Sequence, residues 1–227
     1  MLKIYNIQRK NMSLKLGDEA PNFTAQSTKG EINFHEYIDG SWAVLFSHPK
    51  DFTPVCTTEL GTVAQLGDEF EKRNVKVLGL SVDGIQSHND WVGDIEDVCQ
   101  TNMNYPLLAD ENKAIANAYD MIHPNELATL TVRSVFIINP DKKVMLTLTY
   151  PASVGRNFDE ILRVVDSLQI GAKHKVATPA NWKSGDDVIV GSGLSDEEAN
   201  ELFPEGFTAV KPYLRYVKDP STKVSSK

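Results

Sequence analysis

Cys56 lies in the run His48-Pro49-Lys50-Asp51-Phe52-Thr53-Pro54-Val55-Cys56-Thr57-Thr58-Glu59, between an apolar segment, Trp42-Ala43-Val44-Leu45-Phe46, and an amphipathic one. Pro49 fixes the approach of the chain. Pro54 suits the first turn of a helix, where a missing backbone N–H goes unnoticed. Cys56 then falls in that first turn, where free N–H groups and the positive end of the helix dipole favour a thiolate. Thr53 can offer its hydroxyl to the sulfur from one turn away. The thiolate is the nucleophile of cysteine chemistry, and two prolines and three threonines are not the neighbours of a cysteine that merely fills a core. Cys99, the other cysteine, lacks such a setting and reads as a small buried apolar side chain.

A thiolate alone does not make a fast catalyst. An unperturbed thiol, with a pKa of about 8.5, is a few per cent ionised at pH 7. Lowering it to about 6 raises the thiolate fraction at most roughly thirtyfold, offset in part by weaker intrinsic nucleophilicity. Other groups must orient the substrate and stabilise the leaving group. Arg133, inside the apolar run Val132-Arg133-Ser134-Val135-Phe136-Ile137-Ile138, is one candidate. A buried guanidinium needs an anionic partner, and either a thiolate or a structural carboxylate serves. Thr53, taken alone, reads equally as a helix cap.

The elements that must position these groups follow from periodicity. Trp42 to His48 is apolar on both faces and reads as a buried strand. A helix follows Cys56, with Leu60, Val63, Ala64, Gly67 and Phe70 on one face; Gly61 and Gly67 weaken it by about 1 kcal/mol each if exposed. Then come a strand over 75–82, a helix over 88–98, a short strand over 105–108, a helix over 113–121, a strand over 132–138, a turn at Asn139-Pro140-Asp141-Lys142, its hairpin partner over 144–149, and a helix over 158–168. Early alternation and a late hairpin imply an α/β fold, a mixed sheet flanked by helices in the order of a thioredoxin-like fold. Past Gly171 the elements shorten, and Ser195-Asp196-Glu197-Glu198 forms a capping box. The expected organisation is a loose arm over 1–13, a thioredoxin-like domain over 14–171, and a small C-terminal α+β appendage over 172–227 serving dimerisation. Some fifty residues of that kind do not easily hold a core alone, and Trp182, Val188, Ile189, Tyr213 and Tyr216 need cover.

Composition narrows the function. The chain has 227 residues, 41% hydrophobic and 24% charged, with net charge −8. An acidic balance without a basic stripe argues against nucleic acid or an anionic membrane as partner, and no apolar run approaches the roughly 18 residues of a membrane helix. Two cysteines make no disulfide framework, the five histidines are scattered, and no metal or cofactor is expected. A reducing compartment fits, so a cytoplasmic location is expected. The basic start, Met1 to Lys10, is not a convincing signal peptide.

Pro49-x-x-x-Thr53-x-x-Cys56 resembles the active-site signature of the peroxiredoxins, and the longer run Phe46 to Leu60 resembles their one-cysteine, peroxiredoxin-6-like subgroup. The resemblance extends to Val132-Arg133-Ser134-Val135-Phe136, to the stretch from Tyr150 to Arg163, and to Val176-Ala177-Thr178-Pro179-Ala180-Asn181-Trp182. It implies a thiol peroxidase in which Cys56 attacks hydrogen peroxide or an alkyl hydroperoxide and becomes a sulfenic acid. Thr53 would bond the peroxide, Arg133 would hold the thiolate and steady the breaking O–O bond, and Pro49 would shield the sulfenate. Glu59 and Arg156 would orient Arg133 or the loop.

The two-cysteine branch carries its resolving cysteine where Thr178 stands, so the resemblance implies a one-cysteine cycle completed by an external reductant: glutathione with glutaredoxin, thioredoxin, or ascorbate. It also implies a homodimer. Members of the subgroup carry a phospholipase-like Gly-x-Ser-x-Gly motif; here Asp39-Gly40-Ser41-Trp42-Ala43, with His35 and Asp141, lacks both flanking glycines, so lipid hydrolysis is not expected. A disulfide exchanger would need the missing CxxC, and a chaperone would protect clients without Cys56.

Overall fold

The computed structural model describes residues 13–222. Residues 1–12 of the expected arm and the last five of the polar tail lie outside the described residues. The chain divides into two compact units, residues 1–156 and 157–227.

The first unit opens with the strands β1 (Thr24–Ser27) and β2 (Gly30–Asn33) and the short helix α1 (Phe34–Tyr37). Next come β3 (Trp42–Ser47), α2 (Pro54–Gln65), α3 (Gly67–Lys72), β4 (Val75–Ser81), α4 (Ile85–Cys99), β5 (Leu107–Ala109) and α5 (Ala114–Ala118). The hairpin β6 (Arg133–Ile138) and β7 (Val144–Tyr150) completes it. The sheet runs β2-β1-β5-β4-β3-β6-β7. β3, β4 and β5 pair in parallel and need helical crossovers, which α2–α3 and α4 supply; the other pairings are antiparallel. This is the mixed thioredoxin-like sheet that the hydrophobic pattern implies. β3 and β6 lie inside it and are buried along their whole length, which is why their sequences read as unbroken apolar runs. The core includes Phe34, Leu45, Leu78, Leu80, Tyr119 and Phe136, with Phe23 stacked on Phe34 at 4.8 Å and Tyr119 edge-on to Phe136 at 5.1 Å.

The helix expected after Cys56, with Leu60 to Phe70 on one face, is divided at Leu66. The side chain of Asn104 donates to the Ala64 carbonyl at 2.8 Å, giving it a partner from outside the helix. Asn104 also fills the space over Gly67, where a Cβ would lie 2.1 Å from its Nδ2. Gly61 is not an exposed weak point either. It is buried against α4, and a Cβ there would stand 2.2 Å from Cys99 Sγ. The glycine is what lets α2 and α4 approach. α5 is shorter than expected because Lys113 and Asp120 adopt left-handed backbone at either side of it.

The second unit begins with α6 (Phe158–His174), capped by the Asn157 side chain. It continues with β8 (Val176–Ala177), β9 (Val188–Val190), α7 (Asp196–Leu202), β10 (Thr208–Lys211) and β11 (Leu214–Val217). The four strands form an antiparallel sheet in the order β10-β11-β9-β8. Ser195 and Glu198 make the expected capping box. Ile170, Val176, Trp182, Val188, Val190, Ala199, Phe203 and Val217 form its core. Tyr213, expected on the buried face, is instead 83% exposed in the turn between β10 and β11.

Candidate active site

Cys56 is the third residue of α2 and has no exposed surface. Thr53 occupies the N-cap position with extended backbone, yet it does not cap the helix with its side chain. Its hydroxyl donates instead to the Lys50 carbonyl at 2.8 Å, which closes the loop before the helix. Pro54 supplies the first helical residue, as its ring dictates. Phe52, before Thr53, holds left-handed backbone at φ 54° and is 54% exposed, its ring 6.0 Å from the Trp91 ring. Pro49 is buried at the entry to the loop.

β6 brings Arg133 to the sulfur across 77 residues of sequence: Nη1 lies 3.2 Å from Cys56 Sγ. The same Nη1 donates to Glu59 Oε2 at 2.7 Å, while Nε and Nη2 both donate to the Ala152 carbonyl at 2.9 and 2.6 Å. Glu59 sits one turn along α2 from Cys56. Arg156 closes the arrangement by donating from its backbone N and Nε to Glu59 Oε1 and from Nη2 to Oε2. Its Nη1 reaches the carbonyls of Ser47 and Ser134, and its guanidinium lies 4.9 Å over the Phe46 ring. Burial pushes the Glu59 carboxyl up, but the hydrogen bonds and charge of Arg156, with the charge of Arg133, hold it below the ordinary range. Two guanidiniums and one carboxylate leave one positive charge over beside the Cys56 sulfur.

A second polar cluster flanks the cysteine loop. His48 Nε2 donates to Asp51 Oδ1 at 2.8 Å, and His88 Nδ1 on α4 donates to Asp51 Oδ2 at 2.7 Å. Ser87 Oγ donates to the same Oδ2, and Asp51 N donates to Asp83 Oδ2 at 3.0 Å. The His48 carbonyl accepts from Thr131 Oγ1, two residues before Arg133. Although the His48, Asp51 and His88 side chains lie within 4.8 Å of one another, the facing nitrogens bond directly to the two carboxylate oxygens.

Arg133, Glu59, Arg156 and Cys56, which sequence reasoning grouped together, are therefore in one bonded set. Thr53 and Pro49 belong to the loop that leads into it. The sequence reading missed Asp51 and His88, because 37 residues separate them and neither lies in a recognisable spacing. It also missed the Ala152 carbonyl, a backbone group that no side-chain pattern announces. Ser41 donates to Asn74 Oδ1 at 3.0 Å, and His35 Nε2 donates to the Ala20 carbonyl at 2.8 Å, so the serine hydroxyl and the imidazole have other partners. Cys99 Sγ donates to the Thr57 carbonyl at 3.6 Å.

Comparison with known proteins gives the same picture. A profile of the AhpC/TSA family matches residues 16–147, and one described as the C-terminal domain of 1-Cys peroxiredoxin matches residues 167–206. The chain is similar to a 1-Cys peroxiredoxin of Dictyostelium discoideum, with 51% identity over 92% of this chain and 86% of that one. The crystal structure of a peroxiredoxin 6 of Arenicola marina superposes with a TM-score of 0.87 at 49% identity, covering 92% of this chain and 100% of the other. A yeast mitochondrial 1-Cys peroxiredoxin, whose structure is described in terms of thiol resolution by glutathione/thioredoxin systems, gives a TM-score of 0.86 at 48% identity over 90% and 99% of the two chains.

Proposed function

The chain belongs to the 1-Cys peroxiredoxins within the AhpC/TSA family, and from that premise we propose how the groups around Cys56 divide the work. The protein is a thiol-dependent peroxidase, an antioxidant enzyme that reduces hydroperoxides through one peroxidatic cysteine. The Cys56 thiolate attacks the distal oxygen of ROOH. An S–O bond forms, the O–O bond breaks, sulfur is oxidised by two electrons to the sulfenic acid, and the alkoxide takes a proton to leave as alcohol, or as water from hydrogen peroxide.

The observation that carries the assignment is Arg133 Nη1 at 3.2 Å from a wholly buried sulfur at a helix start. Arg133 has five N–H donors. Nη1 serves the sulfur and Glu59, while Nε and one N–H of Nη2 serve Ala152. The second N–H of Nη2 is then the donor for the oxygen that gains charge as the O–O bond breaks. Thr53, with its proton directed to Lys50, presents oxygen lone pairs and accepts the O–H of the peroxide. Pro49 walls the pocket with a group that cannot donate to the sulfenate. Glu59 and Arg156 position Arg133.

Recycling falls to an external thiol. The yeast relative's glutathione/thioredoxin systems support glutathione, with glutaredoxin, or thioredoxin in that role here. A homodimer is part of the proposal. The sheet of the first unit ends on β7, seven residues long, with no neighbour on its outer side among the described residues, and such an edge favours pairing with a second copy. No described helix is long and apolar enough to cross a membrane, and we place the activity in the cytoplasm.

A coupled assay tests the function: hydroperoxide consumption with glutathione–glutaredoxin, thioredoxin or ascorbate, wild type beside Cys56→Ser. Turnover with at least one thiol system, lost in Cys56→Ser, is expected. Consumption that survives the substitution overturns the assignment. Sedimentation velocity tests the dimer, with a monomer at micromolar concentration counting against it.

A further inference from the structure

Asp51 and His88 have no part in the reaction as described, yet they are bonded to the loop that carries Cys56. His88 faces two acceptors: Asp51 Oδ2 at 2.7 Å from Nδ1 and the Leu108 carbonyl at 3.1 Å from Nε2. A carbonyl never donates, and a carboxylate does so only when protonated. Burial pushes the Asp51 carboxyl up, but the hydrogen bonds from His48 and His88 outweigh it and hold the group well below the ordinary carboxylate range. Both nitrogens of His88 therefore face acceptors, an arrangement satisfied by a ring that carries a proton on each and pairs with Asp51. The other groups facing the cluster are Asp83, just after β4, which accepts from the Asp51 amide, Ser87, which donates to Asp51, and Trp91, which packs at 5.4 Å on His48.

His48 is in the complementary state. Its Nε2–H donates a hydrogen bond to Asp51 Oδ1 at 2.8 Å. Burial disfavours its charged form and outweighs the pull of Asp51. Its Nδ1 is buried with no partner among the described residues, a bare lone pair on the residue next to Pro49.

We propose that His88 is a positioning residue for the peroxidase reaction: paired with Asp51, it fixes His48 as the neutral Nε2–H tautomer, so that Nδ1 stays free to accept the second O–H of hydrogen peroxide, the one Thr53 does not take, or the O–H of the sulfenic acid. This rests on the peroxidase assignment above. No proton leaves either imidazole in the step; His88 supplies the charge and His48 the acceptor. Removal of the His88 cation leaves Asp51 with His48 as its remaining imidazole partner. His48 then takes up a second proton, and Nδ1 changes from acceptor to donor.

The test has two arms. In uniformly ¹⁵N-labelled reduced protein at neutral pH, the imidazole spectra are expected to show both His88 nitrogens protonated, and His48 with Nε2 protonated and Nδ1 bare. Stopped-flow oxidation of the full chain by hydrogen peroxide is expected to be about tenfold slower than wild type in His88→Gln at pH 6, the loss of about one hydrogen bond, and to approach the wild-type rate at pH 8. A neutral His88 in the wild-type spectra overturns the proposal. So does a His88→Gln rate equal to wild type at both pH values, or depressed by the same factor at both, which marks a structural role only. If His88→Gln fails to fold, the wild-type spectra decide alone. If wild-type protein consumes no peroxide through Cys56, the peroxidase assignment fails, while the spectra still report the tautomer.

Discussion

Glu59 and Arg156 are joined by three hydrogen bonds, from the Arg156 backbone N and Nε to Oε1 at 2.8 and 2.9 Å and from Nη2 to Oε2 at 2.7 Å. This fixes the carboxylate so that Oε2 also receives Arg133 Nη1, the atom that faces the sulfur. Glu59→Gln removes the one counter-charge between two buried guanidiniums. Such a break typically costs about 3–5 kcal/mol. Urea denaturation is expected to show a loss of that order, accompanied by slower peroxidation; a loss below 1 kcal/mol would mean that the arginines are held by their carbonyl partners instead.

Arg133→Lys retains the charge but cannot bond Cys56, Glu59 and Ala152 together, because an ammonium lacks the planar fork. Single-turnover oxidation by hydrogen peroxide is expected to slow by about 10²–10³-fold, the usual consequence of removing one donor to developing negative charge. A wild-type rate would show that charge alone suffices at this position.

Gly61→Ala places a methyl 2.2 Å from Cys99 Sγ and 2.4 Å from its Cβ. Overpacking of this kind costs about 1–3 kcal/mol. Thermal melts of the single variants and of Gly61→Ala/Cys99→Ala measure the coupling. Partial recovery in the double variant is expected, since the Cβ of residue 99 remains; strict additivity counts against the contact.

Cys99, half-buried, donates its thiol hydrogen bond to the Thr57 carbonyl and packs on Gly61, a structural setting that accords with a one-cysteine cycle. Cys99→Ser is expected to retain steady-state peroxidase activity, whereas Cys56→Ser abolishes it. Detection of a Cys56–Cys99 disulfide by mass spectrometry after peroxide treatment contradicts a one-cysteine cycle.

Stability should fall on the acid side. Glu59 and Asp51 titrate below their ordinary values of 4.5 and 3.8 in the folded protein, so the unfolded chain binds more protons as pH drops through those values. Their contribution is complete above about pH 5 and is lost progressively below it. His48, held below 6.5 by burial, has the same sign and begins to act as pH falls through 6.5. Denaturation midpoints between pH 7 and pH 3 check this, and a flatter acid limb in Glu59→Gln assigns part of it to that carboxylate.

Much of the site was legible before any coordinates. The all-apolar run at Trp42–Phe46, the proline-fenced cysteine and an arginine inside an apolar strand each carry a local signature, because burial and helix starts leave marks on adjacent residues. What escaped depends on contacts between distant segments. The break at Leu66 follows from Asn104, nearly forty residues on, bonding a helix carbonyl. Gly61 looked like a weak helix residue because its purpose is the sulfur of Cys99, on another helix. The pairing of Asp51 with His88 needs α4 folded back along the sheet before either residue has meaning.

The complete burial of Cys56 separates the two halves of the cycle by size. A hydroperoxide is small and asks for little room at the sulfur, but a tripeptide or protein thiol needs space to approach in line with the S–O bond. The loop holding Phe52 in left-handed backbone and the first turn of α2 must open first. Once reductant is abundant, the interval between oxidation and repair is set by how often that turn opens. The oxidised protein then behaves as a timer, and the period is written in the stability of one helical turn.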